Sequence, residues 1–581
     1  MKLVYRLGMM NLSFKLVMHR AKIDCLLIIA AAVLPTVFHL PQLGFYSDDW
    51  AFLAQLHLAR DQSFLGLLRE LLYLDNAVRP IQWIFLTALY KLFGLHPLDY
   101  HIFNTMLVAL TAISFYLCLR QLHEPPIFVL AVPLLYALLP HYSTDRLWIS
   151  AMQANVSACF FFMSFYADER AIWSSRTYWW WNALGVALVL LSGLAYEVFM
   201  PLVIVGSCVL TLRQWWQSFR EGYRRRPPWR GLIVLGSNGV AVVSLLIIKA
   251  LLASRGVREG TPLAYLDLVH RQMLAAVEIS YLHHVLKIPF TVWQIIVHYA
   301  TFREVIMGVI IGVFLIGCIS HADEAALTVT SIQPARMLVY SGLGVIVFAA
   351  GFSLYPPTPT MAGINNRAAN AAAVGVALSL VGATGWIACQ LSANRTLRAR
   401  LFAAGIAILG VSGFFTCNTV AAFWVESYHR QLKILGSIKE QFPTMPAGTS
   451  LMLDGTCPYY GPAIVFDTSW DLAGALQLTY GHRDIRADVL HSRVRADKRG
   501  LVVISYDTGE LYPYERLFVY HFGLRKAYFL RDAAAVQTYL TDTKPAALKE
   551  CPAGQHGAGA EIPGMSLHSV VGAMLRRPRS E

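Results

Sequence analysis

The chain has 581 residues, of which 56% are hydrophobic and only 14% are charged, and its formal net charge is +13. Soluble domains are usually about one quarter charged, so this composition excludes an ordinary soluble globular protein. The positive charge collects beside apolar segments, which favours a role in membrane topology and anionic-lipid contact over nucleic-acid binding.

Apolar segments long enough to cross the roughly 30 Å hydrocarbon layer of a bilayer recur along most of the chain. Each must be helical, because lipid offers no hydrogen-bond partner to a free backbone amide. We predict about eleven spans, at 24–41, 102–119, 126–140, 148–166, 178–195, 198–212, 231–252, 303–320, 337–355, 371–390 and 400–422. The stretch 81–95 is typical of a half-buried or interfacial helix. The predicted fold class is mainly α, a polytopic transmembrane helix bundle.

The distribution of lysine and arginine among short loops predicts the orientation of the bundle. With the N-terminus inside, the cytoplasmic segments hold Lys2, Arg6, Lys15, Arg20, Lys22, Arg170, Arg176, Arg213, Arg220, Arg224, Arg225, Arg226, Arg230, Arg395, Arg398 and Arg400. An odd number of spans then places the chain beyond residue 423 outside. The first span carries no clear cleavage site, so we expect a retained signal anchor.

Residues 424–581 differ in composition from the spans and form a predicted external domain, separate from the membrane domain at 1–423. Short β-like runs at 450–453, 501–505 and 517–520 alternate with helical segments, which indicates a small α/β domain. Cys457 and Cys551 both fall here and are candidates for a disulfide in an oxidising compartment.

The first predicted external loop, 42–101, holds the most informative residues. Asp48 and Asp49 are adjacent and follow the first span directly. Paired acids at a membrane surface are costly to desolvate unless they meet a cation, hold a metal or take part in catalysis. The structural alternative is that one of them caps a helix beginning at Trp50, because aspartate is a good N-cap residue.

About thirty residues further on, Arg79 and Pro80 open an apolar segment that contains Trp83 and ends in Leu-Phe-Gly at 92–94. With the acidic pair, this pattern resembles the first external loop of the C-type (GT-C) membrane glycosyltransferases, and it is similar to that of bacterial aminoarabinose transferases and protein O-mannosyltransferases. Those families carry Asp-Glu and Lys-Pro-Pro or similar sequences, whereas this chain has Asp-Asp and Arg-Pro-Ile. Asp-Asp also occurs in arabinosyltransferases of the superfamily, so the resemblance does not identify which sugar is transferred.

The resemblance implies an inverting transferase that moves a sugar from a polyprenyl phosphate, such as undecaprenyl phosphate, to a glycan, lipid or protein acceptor. The phosphate is already a good leaving group, so such an enzyme needs only a base and a cation. The resemblance assigns Asp48 as the base, and Asp49 as a residue that orients it or helps to hold a divalent metal such as Mg²⁺ or Mn²⁺. It assigns Arg79 to the lipid phosphate. The alternative for Arg79 is an interfacial snorkelling residue.

Five further residues complete the predicted substrate-binding set. Tyr196 and Glu197 lie in a tight external turn, where the alternative for Glu197 is a solvated turn residue. Tyr46 and His101 belong to the first loop. A second cation, Arg367, follows the Pro-rich turn 355–359, and its functional and loop interpretations stay open.

Two other polar groups favour structural interpretations. Asp145 and Arg146 form a sequence pair that is more typical of structure than of catalysis. The segment 262–290 is typical of an amphipathic interfacial helix. Its adjacent residues His283 and His284 cannot share one helix face, so they do not predict a metal site.

Two other classes of protein fit the composition. A transporter or lipid flippase would keep ionisable residues near the bilayer midplane and often shows repeats, whereas here the acids fall in loops and no repeat is visible. A polysaccharide polymerase or ligase would also act on lipid-linked glycans. The resemblance further implies a bacterial cytoplasmic (inner) membrane with a periplasmic C-terminal domain, and partners that are the lipid-linked donor, the acceptor and membrane lipids.

Overall fold

The computed structural model describes residues 20–74, 78–174, 176–220, 228–252, 299–324, 332–353, 369–490, 493–505 and 508–543, with short pieces between 273 and 297. Several predictions lie outside the described residues: those for Arg367, the turn 355–359, His283 and His284, and Cys551. The prediction for 262–290 falls on a segment of which only short pieces are described.

Helices dominate the structure, and each of the predicted spans overlaps one of them. The helices are α1 (20–33), α2 (Asp48–His57), α3 (Phe64–Leu74), α4 (Pro80–Phe93), α5 (Pro97–Gln121), α6 (Pro126–Leu138), α7 (Thr144–Leu147), α8 (Gln153–Trp173), α9 (Tyr178–Ala195), α10 (Met200–Arg220), α11 (Trp229–Leu252), α12 (Phe302–Glu324), α13 (Pro334–Ser353), α14 (Ala369–Leu391), α15 (Arg395–Gln441), α16 (Ser469–Tyr480) and α17 (Ala533–Thr543). In the described part of the chain, 8 helices are long and apolar enough to cross a membrane. The prediction of a mainly α, membrane-type bundle is confirmed, while the span count stays a prediction.

Small residues let α13 and α14 pack with their backbones in close contact. A Cβ atom added to Gly351 would lie 2.6 Å from the backbone nitrogen of Ala372, and one added to Gly382 would lie 2.5 Å from that of Ser341. Helices in lipid associate through close van der Waals packing at small residues, since apolar side chains gain little by leaving a lipid environment. The alanine- and glycine-rich sequence of α14 therefore places it inside the bundle.

A buried polar network around Asp145 ties the centre of the bundle together. Asn370 donates to the Asp145 carboxylate at 3.0 Å, while Asn104 and Asn155 donate to its backbone carbonyl at 2.7 and 2.8 Å. Arg146 donates to the Tyr142 hydroxyl at 2.9 Å. This burial agrees with the structural interpretation of the Asp145–Arg146 pair.

Helix α15 links the bundle to the C-terminal domain. It has 47 residues, so at 1.5 Å per residue it spans about 70 Å, more than twice the roughly 30 Å hydrocarbon layer. Its C-terminal part must therefore extend beyond the membrane. The domain boundary predicted after residue 423 falls inside this continuous helix.

The C-terminal domain combines two helices with short strands. The strands are β1 (Ser450–Asp454), β2 (Tyr459–Tyr460), β3 (Ala463–Ile464), β4 (Arg486–Val489), β5 (Val494–Asp497), β6 (Gly500–Ser505), β7 (Thr508–Pro513), β8 (Leu517–His521) and β9 (Lys526–Phe529). One sheet has the order β4-β1-β8-β9, in which β1 pairs in parallel with β4 and β8, and β9 is antiparallel to β8. The strands β5, β6 and β7 form an antiparallel meander, and β2 and β3 pair with each other.

These strands confirm the predicted α/β character of the domain, since the three predicted β-runs correspond to β1, β6 and β8. Cys457 is disulfide-bonded, and the other seven cysteines in the described part of the chain are free.

The C-terminal domain docks on the first loop through α16, which crosses α2 at close range. A Cβ atom added to Gly474 would lie 2.5 Å from the carbonyl carbon of Trp50. Arg483 forms an ion pair with Glu70 at 3.1 Å. Gln431 of α15 accepts from the Trp50 indole at 3.1 Å. The acidic loop is therefore fixed between the bundle and the C-terminal domain.

Candidate active site

A cavity of about 590 Å³ lies where the first loop meets the start of α8 and the C-terminal domain. Its walls come from α2, α4, α8 and α16, and they combine charged, amide and aromatic side chains. The lining residues are Asp48, Ala51, Phe52, Gln55, Arg79, Gln82, Trp83, Gln153, Trp470, Ala473, Gly474 and Gln477. The structure thus brings the predicted base and the predicted phosphate-binding cation into one cavity.

The local backbone fixes how the acidic pair is presented. Helix α2 begins at Asp48, and Ser47 occupies the N-cap position with φ 44° and ψ −120°. A positive φ is uncommon for a residue with a side chain and costs on the order of 1 kcal/mol or more. Both acids therefore stand in the first turn, where the helix dipole favours negative charge. A capping role for an aspartate ahead of Trp50 is wrong, because Ser47 holds the cap position.

The two carboxylates face different surroundings. Asp49 is buried, accepting from the Tyr46 backbone nitrogen at 3.0 Å and from the backbone nitrogen and hydroxyl of Ser150 at 2.7 and 2.5 Å. Burial raises the pKa of Asp49 to about 7. Asp48 is half-buried and lines the cavity. Asp49 thus anchors the loop to residue 150, while Asp48 is the acid that a bound molecule can reach.

The two acids of the pair differ in how they could hold a divalent metal. Both oxygens of Asp49 already accept from protein donors, which leaves Asp48 as the carboxylate of the pair that faces the cavity. Mg²⁺ usually keeps several water ligands and is held by one or two carboxylates together with substrate phosphates, so Asp48 is the acid that could contribute to such a site. Over the described ranges, no group of three or more His, Cys, Asp or Glu side chains is placed to hold a metal ion.

Arg79 is held in place by contacts from two other segments. Its guanidinium binds Glu197 through two hydrogen bonds, Nη2 to Oε1 at 2.6 Å and Nε to Oε2 at 3.3 Å. It also stacks over the Tyr196 ring at 4.6 Å. Lys249 of α11 binds the same Glu197 at 3.0 Å. Glu197 therefore pairs with two cations, one of which, Arg79, lines the cavity together with Asp48.

These contacts decide between the sequence interpretations of Glu197. The predicted need for a cation partner is met by Arg79 and Lys249, and the 26% exposure of the Glu197 side chain shows that it is not a freely solvated turn residue. A planar guanidinium fixed by a bidentate carboxylate and an aromatic face is also more ordered than a snorkelling side chain. Glu197 and Tyr196 therefore position Arg79.

Tyr46 and His101 lie outside the cavity lining and hold the backbone of the first loop. The Tyr46 hydroxyl donates to the Trp424 carbonyl at 2.8 Å and accepts from the Gly44 nitrogen at 3.1 Å. His101 is buried, with Nε2 2.9 Å from the Gly44 carbonyl oxygen. Their contacts are those of structural residues, and a direct role in substrate binding stays a prediction.

The structure adds three residues to those predicted from the sequence. Trp470 and Gln153 line the cavity, and Lys249 completes the charged cluster around Glu197. The sequence could have identified Lys249, because a lysine inside an otherwise apolar span is costly unless it meets a partner. The sequence could not have identified Trp470 and Gln153 as lining residues, since their positions depend on how distant segments of the chain pack together.

The described residues thus place an accessible carboxylate and a fixed guanidinium in one concave site. A carboxylate can accept a proton from a hydroxyl group, and a guanidinium can bind a phosphate through two parallel hydrogen bonds. Aromatic and amide side chains line the rest of the cavity, as is typical of small-molecule sites.

No family model matches the chain, and no curated protein matches it. Among solved structures, the chain is similar to the crystal structure of ArnT from Cupriavidus metallidurans bound to undecaprenyl phosphate, at 12% identity and a TM-score of 0.35, over 80% of this chain and 89% of that one. It is also similar to the apo structure of the same protein, at 15% identity and a TM-score of 0.31, over 79% and 89% of the two chains. Similarity at this level assigns no function, which must be argued from the cavity and its residues.

Proposed function

We propose that the protein is a membrane glycosyltransferase that transfers a sugar from a polyprenyl-phosphate donor to an acceptor hydroxyl at the outer face of a bacterial cytoplasmic membrane. The observation that carries the proposal is that Asp48 and Arg79 line one cavity, with Arg79 held by Glu197 and Tyr196. An acid and a cation are the two groups that this chemistry requires, as the sequence resemblance implies.

The proposed reaction is a single displacement with inversion. The acceptor oxygen attacks the anomeric carbon, the bond from that carbon to the phosphate oxygen breaks, and the proton of the acceptor passes to Asp48. The departing polyprenyl phosphate takes the electron pair, and Arg79 stabilises its growing negative charge. No acid is needed to protonate this leaving group, and no step requires a metal.

The charge around Arg79 suits an anionic donor. Glu197 pairs with Arg79 and Lys249 and fixes the guanidinium, which is the cation in the cavity lining that can bind the donor phosphate. Fixing the cation before the reaction reduces the reorganisation that charge development would otherwise demand. The C-terminal domain contributes Trp470 and Gln477 to the opposite wall, where they are candidates to contact the acceptor or the sugar.

The first prediction tests Asp48 as the base. Asp48→Asn keeps the volume of the side chain but removes the proton acceptor, so we expect transfer to fall by roughly 10²–10⁴-fold, as is typical when general-base catalysis is lost. The assay measures the release of undecaprenyl phosphate from a panel of undecaprenyl-phosphate-linked pentoses and hexoses, with membrane extracts as the source of acceptor.

Asp61→Asn is the matched control. Asp61 belongs to the same loop but is exposed and lies outside the cavity lining, and it accepts from the Ser63 nitrogen at 2.9 Å, which an asparagine oxygen can also do. We expect this variant to keep full activity. Full activity of Asp48→Asn would contradict the proposed base, and equal losses in both variants would show that the effect is not specific to the cavity.

A further inference from the structure

Three side chains in the lining of the candidate active site carry buried polar atoms that have no hydrogen-bond partner among the described residues. These atoms are Oε1 of Gln82, Oε1 of Gln153 and the indole Nε1 of Trp83. A buried polar atom without a partner is costly, and native proteins contain few of them. Because all three side chains line one cavity, a molecule bound in that cavity can supply the missing partners.

The two glutamines lie close in sequence to the residues that hold the reacting groups. Gln82 is one turn along α4 from Arg79, and its backbone nitrogen donates to the Arg79 carbonyl at 3.1 Å. Gln153 begins α8 and follows Ser150, whose backbone nitrogen binds the Asp49 carboxylate at 2.7 Å. The structure therefore places both amides on the walls of the space that Arg79 and Asp48 also line.

The chemistry of these unpaired atoms matches hydroxyl groups. A glutamine carbonyl oxygen can accept two hydrogen bonds, and the terminal torsion of the side chain is soft enough for the amide to turn toward a ligand. The Trp83 indole is a donor, and its ring packs edge-on against Phe52 at 4.9 Å. A hydroxyl group both donates and accepts, so a molecule with several hydroxyl groups can satisfy amide oxygens and an indole N–H together.

The charged groups of the lining already have tasks in the proposed reaction. Among the described lining residues, Asp48 carries the carboxylate and Arg79 the guanidinium. The other polar lining residues are Gln55, Gln82, Gln153, Gln477, Trp83 and Trp470. An ionised group on the sugar would lose hydration without meeting a charge of its own, which is unfavourable. An ammonium group that paired with Asp48 would favour the ionised form of this carboxylate and so weaken it as a base.

We propose that the transferred sugar is uncharged and that Gln82 and Gln153 bind its hydroxyl groups, which makes them determinants of donor specificity. This inference rests on the proposed function, since it takes the bound molecule to be the sugar-phosphate donor. Inversion brings the acceptor to the face of the anomeric carbon opposite the phosphate, so the donor sugar lies between Arg79 and the acceptor's base, Asp48. The hydroxyl groups within reach of Gln82, beside Arg79, are therefore those of the donor.

The test measures donor binding to the full-length protein in detergent, separately from turnover, by displacement of radiolabelled undecaprenyl phosphate. The probes are undecaprenyl-phosphate-linked sugars in matched pairs: arabinose and aminoarabinose, glucose and glucosamine, mannose and mannuronic acid, and galactose and galacturonic acid. We expect the tightest-binding donor to carry an uncharged sugar. It should bind about tenfold or more tightly than its charged counterpart, because the charged group is desolvated without a partner.

Two variants test the amides themselves. Gln82→Leu and Gln153→Leu remove the acceptor oxygen with little change in volume, and neither oxygen has a partner in the described protein to leave unpaired. Each should weaken binding of the preferred donor about tenfold, because a sugar hydroxyl loses its acceptor. The affinity for undecaprenyl phosphate, which has no sugar, should stay the same. Gln42→Leu is the matched control, because Gln42 is exposed near the first loop and outside the lining, and it should change neither affinity.

Tightest binding by a donor with a charged sugar would overturn the inference, and transfer of that sugar would leave the proposed function standing. Unchanged donor affinity in both folded leucine variants would also overturn it. Equal weakening of donor and undecaprenyl phosphate would show a structural role for the glutamines and have the same consequence. Selective binding of an uncharged donor without transfer to any acceptor would count against the proposed function alone. Elution volume and far-ultraviolet circular dichroism identify a variant that fails to fold, and the two glutamines, on different helices, give independent tests.

Discussion

At the scale of single residues, the two adjacent aspartates of the first loop have different surroundings. Asp49 accepts from two backbone nitrogens and one hydroxyl and is sealed from solvent, whereas Asp48 lines the cavity. In α2 they point in different directions, because adjacent helical residues are separated by about 100° around the axis. An acidic pair in sequence is thus one structural anchor and one accessible carboxylate in space.

Substitution of Arg79 separates its two proposed roles, which are binding of the donor phosphate and anchoring at the membrane interface. Lysine snorkels as well as arginine but cannot make the same planar bidentate contact with a phosphate. We therefore predict that Arg79→Lys keeps partial transfer activity, while Arg79→Ala abolishes transfer in folded protein. Glu197 keeps Lys249 as a partner at 3.0 Å in the alanine variant, which should limit the loss of stability.

The measurement is donor affinity and turnover per folded molecule for both Arg79 variants. Arg69→Ala is the control, since Arg69 is an exposed cation in the same loop and outside the cavity lining. Unchanged turnover in Arg79→Ala would remove the phosphate role and leave the assignment resting on Asp48 alone.

The sequence predicted which charged residues lie near the cavity, but it did not predict the separate role of each one. Asp48, Arg79 and Glu197 stand out because charged groups beside apolar spans need partners. The structural roles of Tyr46 and His101 depend on contacts with Trp424 and Gly44, which composition and local pattern do not reveal.

At the scale of elements, the length of each apolar segment was enough to predict that a helix is present, but not where the helix ends. Every predicted span overlaps a helix, because the bilayer requires both the length and the hydrogen-bonded backbone. Helix α15 continues to Gln441, far beyond the predicted end at 422. The apolar run ends there, but the following residues still place buried positions such as Gln431, Ile434 and Ile438 at helical spacing.

The crossing of α16 over α2 gives a second element-scale prediction. Gly474→Ala would place a Cβ atom 2.5 Å from the Trp50 carbonyl carbon and 2.6 Å from the Ala51 nitrogen. Backbone atoms of a packed helix cannot yield as a flexible side chain can, so we expect α16 to shift. Transfer should fall because α16 forms one wall of the cavity, and the unfolding temperature in detergent should drop.

Gly436→Ala is the matched control for this substitution. Gly436 is inside α15, and an added Cβ atom would meet nothing within 4 Å. Alanine is about 1 kcal/mol better than glycine within a helix, so this variant should be neutral or slightly more stable. Equal unfolding temperatures and activities in the two variants would contradict the close docking of α16 on α2.

At the scale of the whole molecule, the two ends of the bundle have different chemistry. One end carries the acidic loop, the candidate active site and the C-terminal domain docked on it. The other carries Arg120, Arg170 and Arg213. The same end carries exposed tryptophans, which are Trp173, Trp179, Trp180, Trp215, Trp216 and Trp229. Basic residues concentrate on the cytoplasmic side of membrane proteins, so this asymmetry supports the orientation predicted from the loops.

The orientation is tested by single cysteines labelled with a membrane-impermeant maleimide in whole cells. Asp61→Cys and Arg499→Cys lie at exposed positions in the first loop and the C-terminal domain, while Arg176→Cys and Arg400→Cys are exposed at the basic end. We predict that the first two react in intact cells and that the last two react only after permeabilisation. The unsubstituted protein gives the background from its native cysteines, seven of which are free in the described part of the chain. If all four positions reacted alike, the assignment of the basic end to the cytoplasmic side would be wrong. If Asp61 and Arg499 reacted differently from each other, the odd number of spans would be wrong, and Asp48 could not face the outer side together with the C-terminal domain.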